Sequence, residues 1–191
     1  ILSEKTFVNG IVGLMATGGS TNLVLHLPAM ARAAGVILEL EDFDDLSSIV
    51  PLMAKVYPNG LADVNHFHAA GGLSYMIGQL LDAGLLHSDV TTIMGDTLHD
   101  YAQEPRLQDG VLSFADGPVD SLNDKILRPV SQPFQKSGGL KQLQGNLGTG
   151  VIKISAVAED RHIIRAAARV FHTQEAVKSA FQAGEFTGDT I

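Results

Sequence analysis

Twice in the first half of the chain a pair of glycines, the first behind an apolar run of helical period and the second behind a polar stretch, is followed directly by a new helical run. The first case is "LMATGGSTNLVLHLPAMARAAG" (residues 14–35) and the second "DVNHFHAAGGLSYMIGQLLDAGL" (residues 63–85). Glycine has no Cβ and enters the left-handed conformations that end helices, so each pair predicts a sharp stop and a closely packed successor. Phe7, Val8, Ile11, Val12, Leu14 and Met15 give a helix from about Ser3 its buried side. Leu23, Leu27, Met30, Ala31 and Ala34 do the same for the next helix, with Ser20 or Thr21 as N-cap and Gly35 as stop. Pro28 should bend that helix or mark its first turn. Leu73, Met76, Ile77, Leu80 and Leu81 form the inward face of the helix beyond Gly71 and Gly72, and Gly84 stops it.

Between these units "GVILEL" reads as a short buried strand, and "EDFDDLSSIVPLMAKVYP" as an acidic N-cap with a helix behind it. From Thr97 to Phe134 the texture changes. Pro105, Pro118, Pro129 and Pro133 with Asp109-Gly110 and Asp116-Gly117 predict hairpins and loops, and "SQPFQKSGG" is the best linker. Beyond it the period falls to two in "LKQLQGN" and "GVIKISAVA", as in half-buried strands, so a second domain of β character is expected from near Gly138. "HIIRAAARVF" reads as a further strand and "TQEAVKSAFQAGE" as an amphipathic helix capped by Thr173.

Composition narrows the function. A formal charge of −8 argues against nucleic-acid binding, which needs clustered Lys and Arg to displace counterions. Apolar stretches break well before the ~20 residues of a membrane span, so a soluble, cytoplasmic protein is expected. The chain has no cysteine, which removes disulfides and thiolate metal sites built from its own residues. It starts at Ile1 and is expected to be an internal piece of a longer protein.

Several stretches have the composition of ligand sites. Gly18, Gly19, Ser20, Thr21 and Asn22 stand at a helix start, where unpaired N–H groups and hydroxyls suit an anion and equally well serve as a simple cap. The spacing matches neither the P-loop nor the dinucleotide fingerprint. Asn65, His66 and His68 precede the second glycine-opened helix as cleft-lining polar groups, as structural histidines or, only from an extended segment, as metal ligands. Glu39, Glu41, Asp42, Asp44 and Asp45 read as a solvated helix start rather than a calcium loop. "QGNLGTG" is a tight hairpin or a backbone ligand contact. Arg32, Lys55, Arg128 and Lys141 are isolated basic residues, and no complete catalytic constellation is present.

Taken in order, "FVNGIVGLMATGGSTNLVLHLPAMARAAG", "YPNGLADVNHFHAAGG", "LLDAGLLHSDV", "ILRPVSQPF" and "GGLKQLQGNLGTGVIKISAVA" resemble the dihydroxy-acid and 6-phosphogluconate dehydratase family over essentially the whole chain. "NHFHAAGG" and "QGNLGTG" look like the 6-phosphogluconate branch, whereas branched-chain dihydroxy-acid enzymes tend to carry Ala-Pro where this chain has Asn146, Leu147 and Gly148. The resemblance implies an α/β fold: residues 1–136 as the end of a parallel-sheet α/β domain, and 137–191 as the start of a β-barrel-like domain. It implies a homodimeric hydro-lyase with its active site between the domains, converting 6-phosphogluconate to 2-keto-3-deoxy-6-phosphogluconate in the Entner-Doudoroff pathway. In that chemistry a base removes the proton beside the carboxylate while an iron-sulfur cluster, a 4Fe-4S type, acts as Lewis acid on the departing hydroxyl.

The family's cluster cysteines and magnesium-site residues lie upstream of the matched segment and its serine base downstream. The 191 residues alone are therefore expected to hold no metal and catalyse nothing. By position, Gly18, Gly19, Ser20, Thr21, Asn22, Asn65, His66 and His68 carry over as substrate-cleft residues, with Ser20 and Thr21 donating to a carboxylate or phosphate. A dihydroxy-acid or aldonate dehydratase, or a non-catalytic binding module, are the competing readings.

Overall fold

The structure, a computed structural model, describes residues 1–186. The chain divides into two compact units, the first spanning Ile1–Ala156 and the second beginning at Val157.

The first unit opens with α1 (Glu4–Thr17), capped by Ser3 and ended by Gly18 in the left-handed conformation, φ 58°. Its buried side is Phe7, Ile11, Val12, Leu14, Met15 and Ala16, the face that the helical spacing predicts. α2 (Leu23–Ala33) and α3 (Leu40–Ile49) both pack on α1. Asn22, rather than Ser20 or Thr21, occupies the cap position of α2, and Pro28 lies inside the helix beyond its first turn.

Residues 36–39 form no strand, and Ile37 is 67% exposed. The polar neighbours win here: the Glu39 N–H donates to Asp42 Oδ2 at 2.8 Å, starting α3 where a strand was expected to continue. α3 in turn stops at Ile49, because Pro51 drives Val50 into an extended conformation, φ −82° and ψ 121°. The helix expected to run on toward Pro58 therefore ends early. Residues 50–56 run extended through the centre of the unit, with Val50, Leu52, Met53 and Ala54 buried. Leu52 bonds with Phe134 and Gln135, Met53 and Lys55 bond with Arg128 and Ile126, and the Met53 N–H donates to Ala16 O at 2.8 Å. Buried Leu127 and Leu140 join α1, this segment and α5 (Gly72–Asp82) in one apolar core.

Ahead of α5 the chain makes one short helix more, α4 (Val64–Ala69), where a polar lead-in was expected. Hairpin β1 (Gln103–Gln108) and β2 (Val111–Asp116) turns at Asp109-Gly110, both at positive φ as a tight turn requires. Hairpin β3 (Lys141–Gly145) and β4 (Gly148–Ile152) is antiparallel and packs on α3. The sheets among the described residues are these two antiparallel pairs, with isolated bridges elsewhere.

In the second unit, residues 162–171 make no strand of these sheets, and Ile163 and Val170 are exposed. Thr173 caps α6 (Gln174–Gln182) by accepting from the Ala176 N–H at 3.2 Å. Phe171 and Phe186 meet edge to face beside Arg169, which pairs with Glu185.

Candidate functional site

The turn between α1 and α2 is organised by its glycines. Gly18 reverses the chain, and the Gly19 N–H donates back to Leu14 O at 3.0 Å, which satisfies the carbonyls left over at the end of α1. Beyond it the Asn22 N–H donates to Ser20 Oγ at 3.2 Å, while Leu23 and Val24 N–H reach Ser20 O and Thr21 O. Ser20 thus contributes to the start of α2 as an acceptor and keeps its hydroxyl proton. The Ser20 and Thr21 backbone N–H groups and the Thr21 hydroxyl have no partner among the described residues. They stand just ahead of α2, where the helix dipole favours negative charge.

Gly18, Gly19, Ser20 and Thr21 form one wall of a cleft of about 560 Å³. Its apolar lining comes from Ala54 and Val56 of the central extended segment, Pro58, Val64 and Phe67 of α4, and Leu73 of α5. Leu73 is 60% exposed because its side of α5 borders this cleft instead of the core. Thr17 and Tyr57 also line it, but the Thr17 hydroxyl is committed to Gly13 O at 2.7 Å. The remaining lining residue is Lys153, which makes no ion pair among the described residues, and burial pushes its ammonium below the ordinary lysine value. Among the described residues, no Asp or Glu lines the cleft.

Asn59 ties two walls of the cleft together. Its Nδ2 donates to Gly18 O at 2.8 Å, and its Oδ1 accepts from Ser155 Oγ, also at 2.8 Å. Ser155 is two residues beyond Lys153, and its N–H donates to Gly139 O at 3.2 Å. Gly139 passes so near Gly18 that a Cβ on it would stand 2.8 Å from the Gly18 Cα. The glycine-opened turn and the Lys153 segment are therefore fixed relative to each other by side-chain bonds and by backbone contact.

Of the residues singled out from sequence, Gly18 to Thr21 line this cleft, whereas Asn22, Asn65, His66 and His68 do not. Asn65, His66 and His68 are exposed on α4. His66 closes the cap of α4: Asp63 Oδ1 accepts from the His66 N–H at 3.0 Å, and the Asp63 N–H donates to His66 Nδ1 at 3.2 Å. The His66 amide chiefly, with the His66 ring and the Asn65 amide, outweighs burial and holds the Asp63 carboxyl below its ordinary value. Two residues apart on a helix, His66 and His68 point to different sides, which removes the shared-metal arrangement that an extended segment would have allowed. Among the described residues no three of His, Cys, Asp and Glu converge.

None of the four basic residues noted in the sequence reaches this cleft. Lys141 pairs with Asp44 at 2.6 Å, and Lys55 and Arg128 both lie over the Phe134 ring, at 4.9 and 4.3 Å. Lys153 and Asn59 escaped sequence reasoning. The alternation in "GVIKISAVA" marks which side chains share a face but not that the chain leaves the strand at Lys153 beside a turn more than 130 residues earlier.

Two family models match the chain: residues 1–101 match the dihydroxy-acid/6-phosphogluconate dehydratase N-terminal region, and residues 125–191 the C-terminal region. Along its whole length the chain is 52% identical to a phosphogluconate dehydratase of Pseudomonas aeruginosa and 50% identical to one of Escherichia coli K12. It is 36% identical to a dihydroxy-acid dehydratase of Roseiflexus castenholzii. The chain spans 31% of the Pseudomonas protein and 32% of the other two.

Proposed function

Because the chain belongs to the dihydroxy-acid/6-phosphogluconate dehydratase family, we propose that its full-length parent is a hydro-lyase acting on 6-phosphogluconate and that the cleft at Gly18 to Thr21 is part of its substrate site. The observation that carries this reading is the set of donors at the glycine-opened turn, Ser20 N–H, Thr21 N–H and the two hydroxyls, beside an otherwise apolar cleft whose one charged lining residue is a lysine. Such a cleft suits a small polyanion and repels no part of it. The roughly 50% identity to phosphogluconate dehydratases, against 36% to a dihydroxy-acid dehydratase, favours the phosphorylated sugar acid.

The reaction removes the proton at C2 and the hydroxyl at C3 as water, and the enol then tautomerises to the 2-keto acid. This chain's residues hold the substrate's anionic end, and Val56, Val64 and Phe67 supply the apolar side of the cleft. They do not fit an iron-sulfur cluster, since the chain has no cysteine and no converging ligand set among the described residues. We assign the cluster, any magnesium and the base to other parts of the parent. Asn22, Asn65, His66 and His68 enter the proposal as rim residues that the rest of the protein brings into play. We further infer a cytoplasmic homodimer, with residues 1–136 ending a parallel-sheet α/β domain and 137–191 opening a β-barrel-like one.

Turnover of 6-phosphogluconate, gluconate and a branched-chain dihydroxy acid by the full-length protein tests the reading. Preference for the phosphorylated acid supports it; turnover of the branched-chain acid alone overturns it.

A further inference from the structure

We propose that Lys153 is the anion-anchoring residue of the cleft, its ammonium taking an anionic oxygen group of the substrate opposite the Ser20 and Thr21 donors. This rests on the reading of the cleft as a substrate site and names the contact that such a site lacks in the sequence motif alone.

Several other cations already have partners. Lys5 pairs with Asp89, Lys141 with Asp44 and Arg169 with Glu185, while Lys55 and Arg128 lie against Phe134. Lys153 lines a cleft whose other walls are hydrocarbon, hydroxyl and backbone, with no carboxylate among the described residues that line it. Lys153 is half-buried in this lining, and its charge is partly withdrawn from water without compensation. A cation in that setting is stabilised by whatever anion enters, and the low local dielectric strengthens the contact.

The lysine is also held in place. Lys153 follows β4 directly, and two residues later Ser155 is locked to Asn59 and Gly139. Asn59 in turn holds Gly18 O, so the lysine's backbone and the donor turn belong to one braced frame. Asn59 is thus a positioning residue: it touches no substrate, but it fixes the separation of the two groups that do.

The anionic group is a phosphate or a carboxylate, and the test separates them. Affinities of 6-phosphogluconate, gluconate and inorganic phosphate are measured by calorimetry on the full-length protein, as wild type, Lys153→Met and Lys153→Arg, with thermal unfolding as the folding control. Lys153→Met should bind 6-phosphogluconate at least tenfold more weakly at an unchanged or higher Tm, and Lys153→Arg should recover most of the loss. If the contact is to phosphate, inorganic phosphate weakens in parallel and gluconate does not; if to the carboxylate, gluconate weakens and phosphate does not. Wild-type protein that binds none of the three, or Lys153→Met that binds all three as wild type does, overturns the proposal. A wild-type protein that binds the anions through Lys153 but dehydrates none of the acids overturns the proposed reaction and leaves the anchor standing.

Discussion

Gly18 sits at φ 58°, and a Cβ there would stand 2.4 Å from Asn59 Nδ2 and 2.8 Å from Leu52 Cδ1. Backbone conformation and space both reject a side chain, so Gly18→Ala should lower stability by at least about 1–2 kcal/mol, read as a fall in Tm of the full-length protein. Asn59→Ala leaves Gly18 O without its partner and the Ser155 hydroxyl with only the longer bond to Gly139 O, and should cost about 1–3 kcal/mol by the same measurement. The Asp44 carboxyl supplies a pH-dependent case. Burial works to raise it, but the Lys141 ammonium and the Gln142 amide outweigh burial and hold it below its ordinary value of 3.8. A carboxyl lowered by folding stabilises above its unfolded value, and that contribution disappears as pH falls through the folded value. Asp44→Asn should therefore cost up to about 1 kcal/mol at neutral pH, and its stability should converge with wild type in acid. The glycine turn was legible as a chemical feature because Gly, Ser and Thr at a helix start have few other uses. Asn59 was not, since its partners lie 41 and 96 residues away and nothing local marks the pairing.

The elements that were legible are those with local punctuation. α1 and α5 stop where Gly18 and Gly84 permit the left-handed conformation, α6 starts at Thr173, and the β1–β2 hairpin turns at Asp109-Gly110. The Thr173 cap can be measured: Thr173→Ala should reduce the stability of α6 by about 1 kcal/mol, seen as faster amide exchange in residues 174–177. The central segment 50–56 was not legible, because a short apolar run behind a helix reads equally as more helix, and only its bonds to residues 126–135 reveal it as extended. α4 is six residues long, too short for a periodic signal, and its cap through Asp63 and His66 is what defines it.

For the molecule as a whole, the matched family regions flank residues 102–124, so the β1–β2 hairpin falls between them. The cleft lies within the unit Ile1–Ala156, and its walls come from α1, the central segment, α4, α5 and the stretch after β4. On the proposed reading, this chain contributes substrate-binding groups while the cluster's ligands come from other parts of the parent. The 191 residues alone should therefore show no turnover and bind no iron, by coupled assay and metal analysis, while the full-length protein shows both. The central claim is that the turn at Gly18 to Thr21 binds substrate as well as starting a helix. Its most direct test is steady-state kinetics of Ser20→Ala and Thr21→Ala in the full-length protein with 6-phosphogluconate. The account predicts a loss of roughly tenfold in kcat/KM for each, about 1.4 kcal/mol. If both variants kept wild-type kcat and KM and lost only thermal stability, the turn would be a helix start and nothing more.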